Sequence, residues 1–101
     1  MSSNKRLIVV IDMLNGFCFQ GPLSDKRIAQ IIPQIKNLLL QGDDNLFLCD
    51  SHSLNDPEMT IYPPHCLSGT YEAEVVDELK NLIKRKITKQ TTYIRINKLD
   101  T

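Results

Sequence analysis

RLIVVIDM, residues 6–13, decides the fold: five consecutive apolar residues, four of them β-branched, run without alternation into an acid. A strand with one wet face would alternate, so an unbroken run fits a strand covered on both faces of a parallel sheet. Gly16, Gly21 and Pro22 punctuate the segment 15–23 that follows, which reads as a loop. From Ser24, an expected N-cap, Ile28, Ile31, Ile32, Ile35, Leu38 and Leu39 recur at helical spacing until Gly42. Pro33 should bend that helix or mark its effective start. NLFLCD at 45–50 reads as a second strand.

The pattern then repeats. Thr70 is placed to cap a helix with Glu72 and Glu74 in its first turn and Lys84, Arg85 and Lys86 at its end, charges that suit the helix dipole. Ala73, Val76, Leu79 and Ile83 supply the buried stripe, and the alternating TTYIRIN, 91–97, is expected to be a third strand ending near Asn97 or Lys98. The order βαβαβ predicts parallel strands joined by right-handed crossovers, one mononucleotide-type half of a doubly wound α/β fold.

Composition agrees with one small domain over residues 1–101: the chain is 42% hydrophobic and 24% charged, with a formal net charge of zero. A broad nucleic-acid footprint needs a clustered basic excess, and none is present. LIVVI is far shorter than the roughly 20 apolar residues of a membrane span, and no cleavable leader is evident. These features place the chain in the cytoplasm, with Cys18, Cys49 and Cys66 as reduced thiols, since they are odd in number and lack CxxC spacing.

Function is expected where the strands end, because open α/β sheets bind ligands outside the carboxyl ends of their strands. Asp12, then Asp50 with His52, then Lys98 fall there. Asp12 alone could merely cap its loop, and Lys98 could be solvated. Together they could position and deprotonate a nucleophile. Asp50, His52 and His65 offer two imidazoles and a carboxylate, a set that holds a divalent metal while leaving positions open. The competing reading has His52 capping a turn and His65 packing on Tyr62. Cys66 is not expected to be a nucleophile, and Cys49 reads as a small core residue.

The stretches VVIDMLNGFC, GPLSDKRIAQIIPQIKNLL, DSH and YPPHCLSGTYEAEVVDEL resemble the isochorismatase-like cysteine hydrolases, which include the nicotinamidases. The resemblance implies a three-layer α/β/α Rossmann-like parallel sheet, of which this chain would hold the first βαβαβ half. It implies that Asp12 is the catalytic aspartate, Lys98 the lysine of a Cys-Asp-Lys triad and Phe17 an aromatic wall of the substrate pocket. It further implies that Asp50, His52 and His65 hold a metal, often zinc, that binds a pyridine nitrogen, and that the substrate is a small amide such as nicotinamide.

Two departures stand out. The family's DxQNDF signature appears as Asp12-Met13-Leu14-Asn15-Gly16-Phe17, and the nucleophilic cysteine belongs to a later strand than any in these 101 residues. The expected partner is therefore a missing C-terminal half, or another copy of the chain, set against the first strand. The alternatives are a same-fold hydrolase of an isochorismate-like vinyl ether and a non-catalytic paralogue that binds metal or a partner subunit.

Overall fold

The computed structural model describes residues 6–89. Three parallel strands, β1 (Leu7–Ile11), β2 (Asp44–Asp50) and β3 (Lys86–Lys89), lie in the order β1-β2-β3. Leu7 is level with Asp44, and Ile11 with Leu48. β3 continues the register, with Phe47 level with Lys86 and Asp50 with Lys89. The parallel βαβαβ order is the expected one, but its third strand is Lys86–Lys89 rather than the expected 91–97.

The first crossover holds α2 (Lys26–Ala29) and α3 (Ile32–Leu39) rather than one long helix. Pro33 occupies the first turn of α3, where its missing N–H costs nothing, so it marks the effective start. The N-cap of α2 is Asp25, not Ser24: the Asp25 carboxylate accepts from Arg27 N at 2.9 Å, while the Ser24 hydroxyl donates to Gly21 O. The Arg27 guanidinium and backbone N–H hold the Asp25 carboxyl down at about 2.

The expected helix over 70–86 is largely absent. A single 3-10 turn forms at Tyr71–Ala73, and α4 covers only Asp77–Lys80. Between them the backbone is extended at Glu74 and Val76 because it pairs with the loop after β1: Asn15 N donates to Glu74 O at 2.9 Å, and Val76 N to Met13 O at 3.1 Å. Tertiary pairing thus overrides the helical spacing, and Lys86 belongs to β3 rather than to a helix end. The strand expected at 91–97 and Lys98 lie outside the described residues.

Both crossovers lie on one face of the sheet. There Val10, Phe47 and Cys49 pack with Ile32, Leu39, Val76 and Leu79 in a continuous core. The alternate residues point the other way: Leu7 is 53% and Ile11 58% exposed, with Val9 and Ile87 similarly open and Leu46 and Leu48 half-buried. β1 is also an edge strand among the described residues. A parallel sheet normally has both faces covered, and among the described residues this face is left largely open. No helix among the described residues is long and apolar enough to cross a membrane.

Candidate metal centre

The strand carboxyl ends carry the site. After Asp50, residue 52 makes a parallel bridge with Leu67: His52 N donates to Cys66 O at 3.0 Å, and Ser68 N to His52 O at 2.7 Å. This short pairing brings two sequence-distant histidines side by side, their ring centroids 4.9 Å apart. Both are 1% exposed, so neither is a surface residue that merely happens to lie near a loop.

Hydrogen bonding fixes the tautomers. His52 Nδ1 lies 2.8 Å from Asp56 Oδ2, and His65 Nδ1 lies 2.8 Å from Pro63 O. A carboxylate and a carbonyl only accept, so both rings carry a proton on Nδ1. In the neutral rings Nε2 is then a lone pair. His65 Nε2 faces Glu58 Oε2 at 3.1 Å, and His52 Nε2 faces Asp50 Oδ2 at 3.4 Å and Glu58 Oε1 at 3.8 Å. His52 Nε2 is buried and makes no hydrogen bond among the described residues.

Lone pairs aimed at carboxylate oxygens repel unless a proton or a metal cation sits between them. Asp50, His52, Glu58 and His65 each offer one ligand atom, all within 4.8 Å of one another. Bonds of about 2.0–2.1 Å in a tetrahedral zinc site put neighbouring donors about 3.3 Å apart. The spacings of 3.1, 3.4 and 3.8 Å bracket that value. Two imidazoles and two carboxylates therefore fit a divalent ion such as zinc in both chemistry and spacing.

The sequence reading named three of these residues and missed Glu58 and Asp56. Both sit in Asn55-Asp56-Pro57-Glu58, where Asp56 caps the 3-10 turn Pro57–Thr60 through Glu58 N at 3.0 Å. An acid-Pro-acid turn a few residues after Asp-x-His was the available signal. Phe17, from α1 (Asn15–Cys18), is brought to the centre, its ring 6.1 Å from that of His65. Tyr62 packs edge-on against His65 at 6.2 Å. The contact expected under the structural reading of His65 is therefore present together with the ligand cluster.

Asp12 ends β1 at φ +56°, the left-handed region, and its N–H donates to Leu48 O at 2.8 Å. Asp is among the few side chains that tolerate this conformation, which turns the chain sharply out of the strand. Lys98 lies outside the described residues; the residue that ends β3, level with Asp50, is Lys89.

The three thiols are all buried. Burial first, then the charges of Asp50, Glu72, Asp12 and Glu58, push Cys66 up to about 12. Such a thiol stays protonated, which matches the expectation that Cys66 is not a nucleophile. Burial likewise raises Cys18, assisted by Glu78. Cys66 is held at φ +45° with its N–H donating to Glu72 Oε1 at 3.1 Å, and its sulfur lies under Gly16. A Cβ at Gly16 would stand 2.7 Å from Cys66 Sγ and 2.9 Å from Glu72 Cβ. The position where the family signature carries an acid thus has no room for a side chain.

No family model matches the chain. It is 34% identical to nicotinamidase 1 of Arabidopsis thaliana over 83 residues, which cover 72% of this chain and 34% of that protein. Among solved structures, an isochorismatase-like hydrolase from Alkaliphilus metalliredigens matches with a TM-score of 0.74 at 24% identity, covering 95% of this chain and 62% of its own. A pyrazinamidase of Pyrococcus horikoshii, solved in complex with zinc, matches with a TM-score of 0.71 at 25% identity, covering 83% of this chain and 51% of its own. The chain thus spans about a third of the curated relative and between half and two thirds of these structures.

Proposed function

We propose that this chain, similar in sequence to a nicotinamidase and in fold to an isochorismatase-like hydrolase, supplies the metal-binding and substrate-orienting half of a nicotinamidase-like amidohydrolase. The observation that carries the reading is the convergence of Asp50, His52, Glu58 and His65 with Phe17 beside them. Asp50, His52, Glu58 and His65 would hold a divalent ion, zinc by chemistry, which would have to expand beyond these four donors to take a further ligand and would then supply a Lewis-acid docking point for the ring nitrogen of a substrate such as nicotinamide. Phe17 then walls the heterocycle.

Asp12 is the base that accepts a thiol proton, and a strand-end lysine, Lys98 in the sequence reading, completes the pair. The thiolate attacks the amide carbon, the C–N bond breaks with the proton delivered to the leaving ammonia, and water hydrolyses the thioester to the acid. The described thiols are poor candidates for that role, since Cys18, Cys49 and Cys66 are all buried. The nucleophile is assigned instead to a segment equivalent to the remainder of the longer relatives. The open face of Leu7, Val9, Ile11 and Ile87 supports its docking there, or the docking of another copy of the chain.

The test is ammonia release from nicotinamide by the complete protein, with His52→Ala and His65→Ala beside it. Both variants should lose turnover, and unchanged turnover would remove the metal from the mechanism. Activity on a vinyl ether and not on the amide, independent of metal, would favour the alternative hydrolase.

A further inference from the structure

We infer that Asp56 is the positioning residue of the metal centre: it holds the His52 proton on Nδ1 and thereby leaves Nε2 free to bind the ion. The inference rests on the proposed metal reading. Asp56 is not among the four clustered donors, yet its side chain is as buried as that of His52, both 1% exposed. A carboxylate so deeply buried needs partners for each oxygen, and both are engaged. Oδ2 accepts from His52 Nδ1 at 2.8 Å, and Oδ1 accepts from Glu58 N at 3.0 Å.

One side chain therefore controls two ligands, the ring orientation of His52 and the start of the turn that carries Glu58. The backbone around it is equally tied, with Asp56 N donating to Ser53 O at 3.0 Å and Met59 N to Asp56 O at 2.9 Å. A carboxylate behind a ligating imidazole fixes its tautomer and raises its basicity, and losing such a group costs about 10–100-fold in metal affinity. His65 obtains the same tautomer from a backbone carbonyl, Pro63 O, which no side-chain substitution removes. The two rings thus differ in what holds them.

Asp56→Asn separates this role from simple turn capping. An amide has one acceptor oxygen. If it continues to cap Glu58 N, its NH2 faces His52 Nδ1 and donates to it, which drives the ring proton to Nε2 and blocks the ligating atom. Asp56→Ser is the companion, because serine is a good N-cap but its single short hydroxyl does not serve Glu58 N and His52 Nδ1 together.

Two readouts on the full polypeptide decide the matter. The first is ring-nitrogen NMR of the metal-free protein at a pH where the imidazoles are neutral, which is simple because the chain has two histidines. The second is zinc affinity by competition with a chromophoric chelator. The wild type should show both rings as the Nδ1–H tautomer. In Asp56→Asn the His52 ring should switch to Nε2–H while His65 does not, and zinc affinity should fall about 10–100-fold. Asp56→Ser should also lose affinity.

An unchanged His52 tautomer in Asp56→Asn, or wild-type zinc affinity in Asp56→Ser, would overturn the role and leave Asp56 as a turn cap. If the wild type itself takes up no zinc, the metal reading fails first and this inference falls with it. Uptake by the wild type with no effect of Asp56→Asn removes the inference alone.

Discussion

Gly16→Ala tests whether the loop after β1 is shaped by packing against Cys66. Glycine in a helical turn normally costs ~0.5–1 kcal/mol relative to alanine, so on propensity alone the substitution should stabilise α1. The structure predicts the reverse. The new methyl would stand 2.7 Å from Cys66 Sγ, 2.9 Å from Glu72 Cβ and 3.0 Å from Glu72 O, and the last of these is backbone that cannot swing away. Overpacking of this kind costs ~1–3 kcal/mol. Set against the propensity gain, the net loss is ~0–2.5 kcal/mol and centres near ~1 kcal/mol, a fall in Tm of ~4–8 °C for a domain of this size. Urea unfolding of wild type, Gly16→Ala, Cys66→Ala and the double variant measures it. The pair should couple by ~0.5–1 kcal/mol, since removing the sulfur relieves one of the three contacts. Gly16→Ala as stable as wild type would refute the packing account, and Gly16→Asp, which restores the family's acid, should fare worse.

Three further outcomes follow from the site. Glu58→Gln should weaken zinc binding ~10–150-fold by chelator competition, the equivalent of one charge-assisted contact worth ~1.5–3 kcal/mol; unchanged affinity would exclude Glu58 as a ligand. Cys66 in the metal-free native chain should alkylate ~1000-fold more slowly at pH 8 than in urea, since a thiol at about 12 is ~1 in 10,000 ionised where an ordinary one at 9.0 is ~1 in 10. The folded value is the higher, so the stabilisation from burying the neutral thiol is intact below about pH 9 and is lost as pH rises toward about 12. In the complete enzyme, Lys89→Met should lower amide turnover ~10²–10⁴-fold if the strand-end lysine is the one level with Asp50; a larger loss in Lys98→Met would return the role to that residue.

β3 at Lys86–Lys89 was missed because Lys86 reads as a helix end. β1 and β2 were legible as apolar runs, although Leu7, Val9 and Ile11 are exposed rather than covered, and Pro33 announced the start of α3 by its chemistry. The segment 70–86 was not, because the spacing of Ala73, Val76, Leu79 and Ile83 is compatible with a helix that the chain does not form. The hydrogen bonds from Asn15 and Val76 that hold 74–76 extended involve residues some sixty positions apart, and no local pattern reports them. The site divides along the same line. Asp50, His52 and His65 were visible as residue types at the end of an apolar run, and the structure brings them together. Glu58 and Asp56 carried only a weak signal, the acid-Pro-acid turn, because solvated acidic turns look the same in sequence, and the burial of Asp56 and the aim of the two Nε2 atoms separate them from a solvated loop.

The most direct test of the central claim is the zinc stoichiometry of the polypeptide after stripping with chelator and reloading, measured beside a His52→Ala, His65→Ala double variant. The geometry of the four donors predicts one tightly held zinc per chain, lost in the double variant. No retained zinc, or equal retention by the variant, would contradict a metal centre at Asp50, His52, Glu58 and His65.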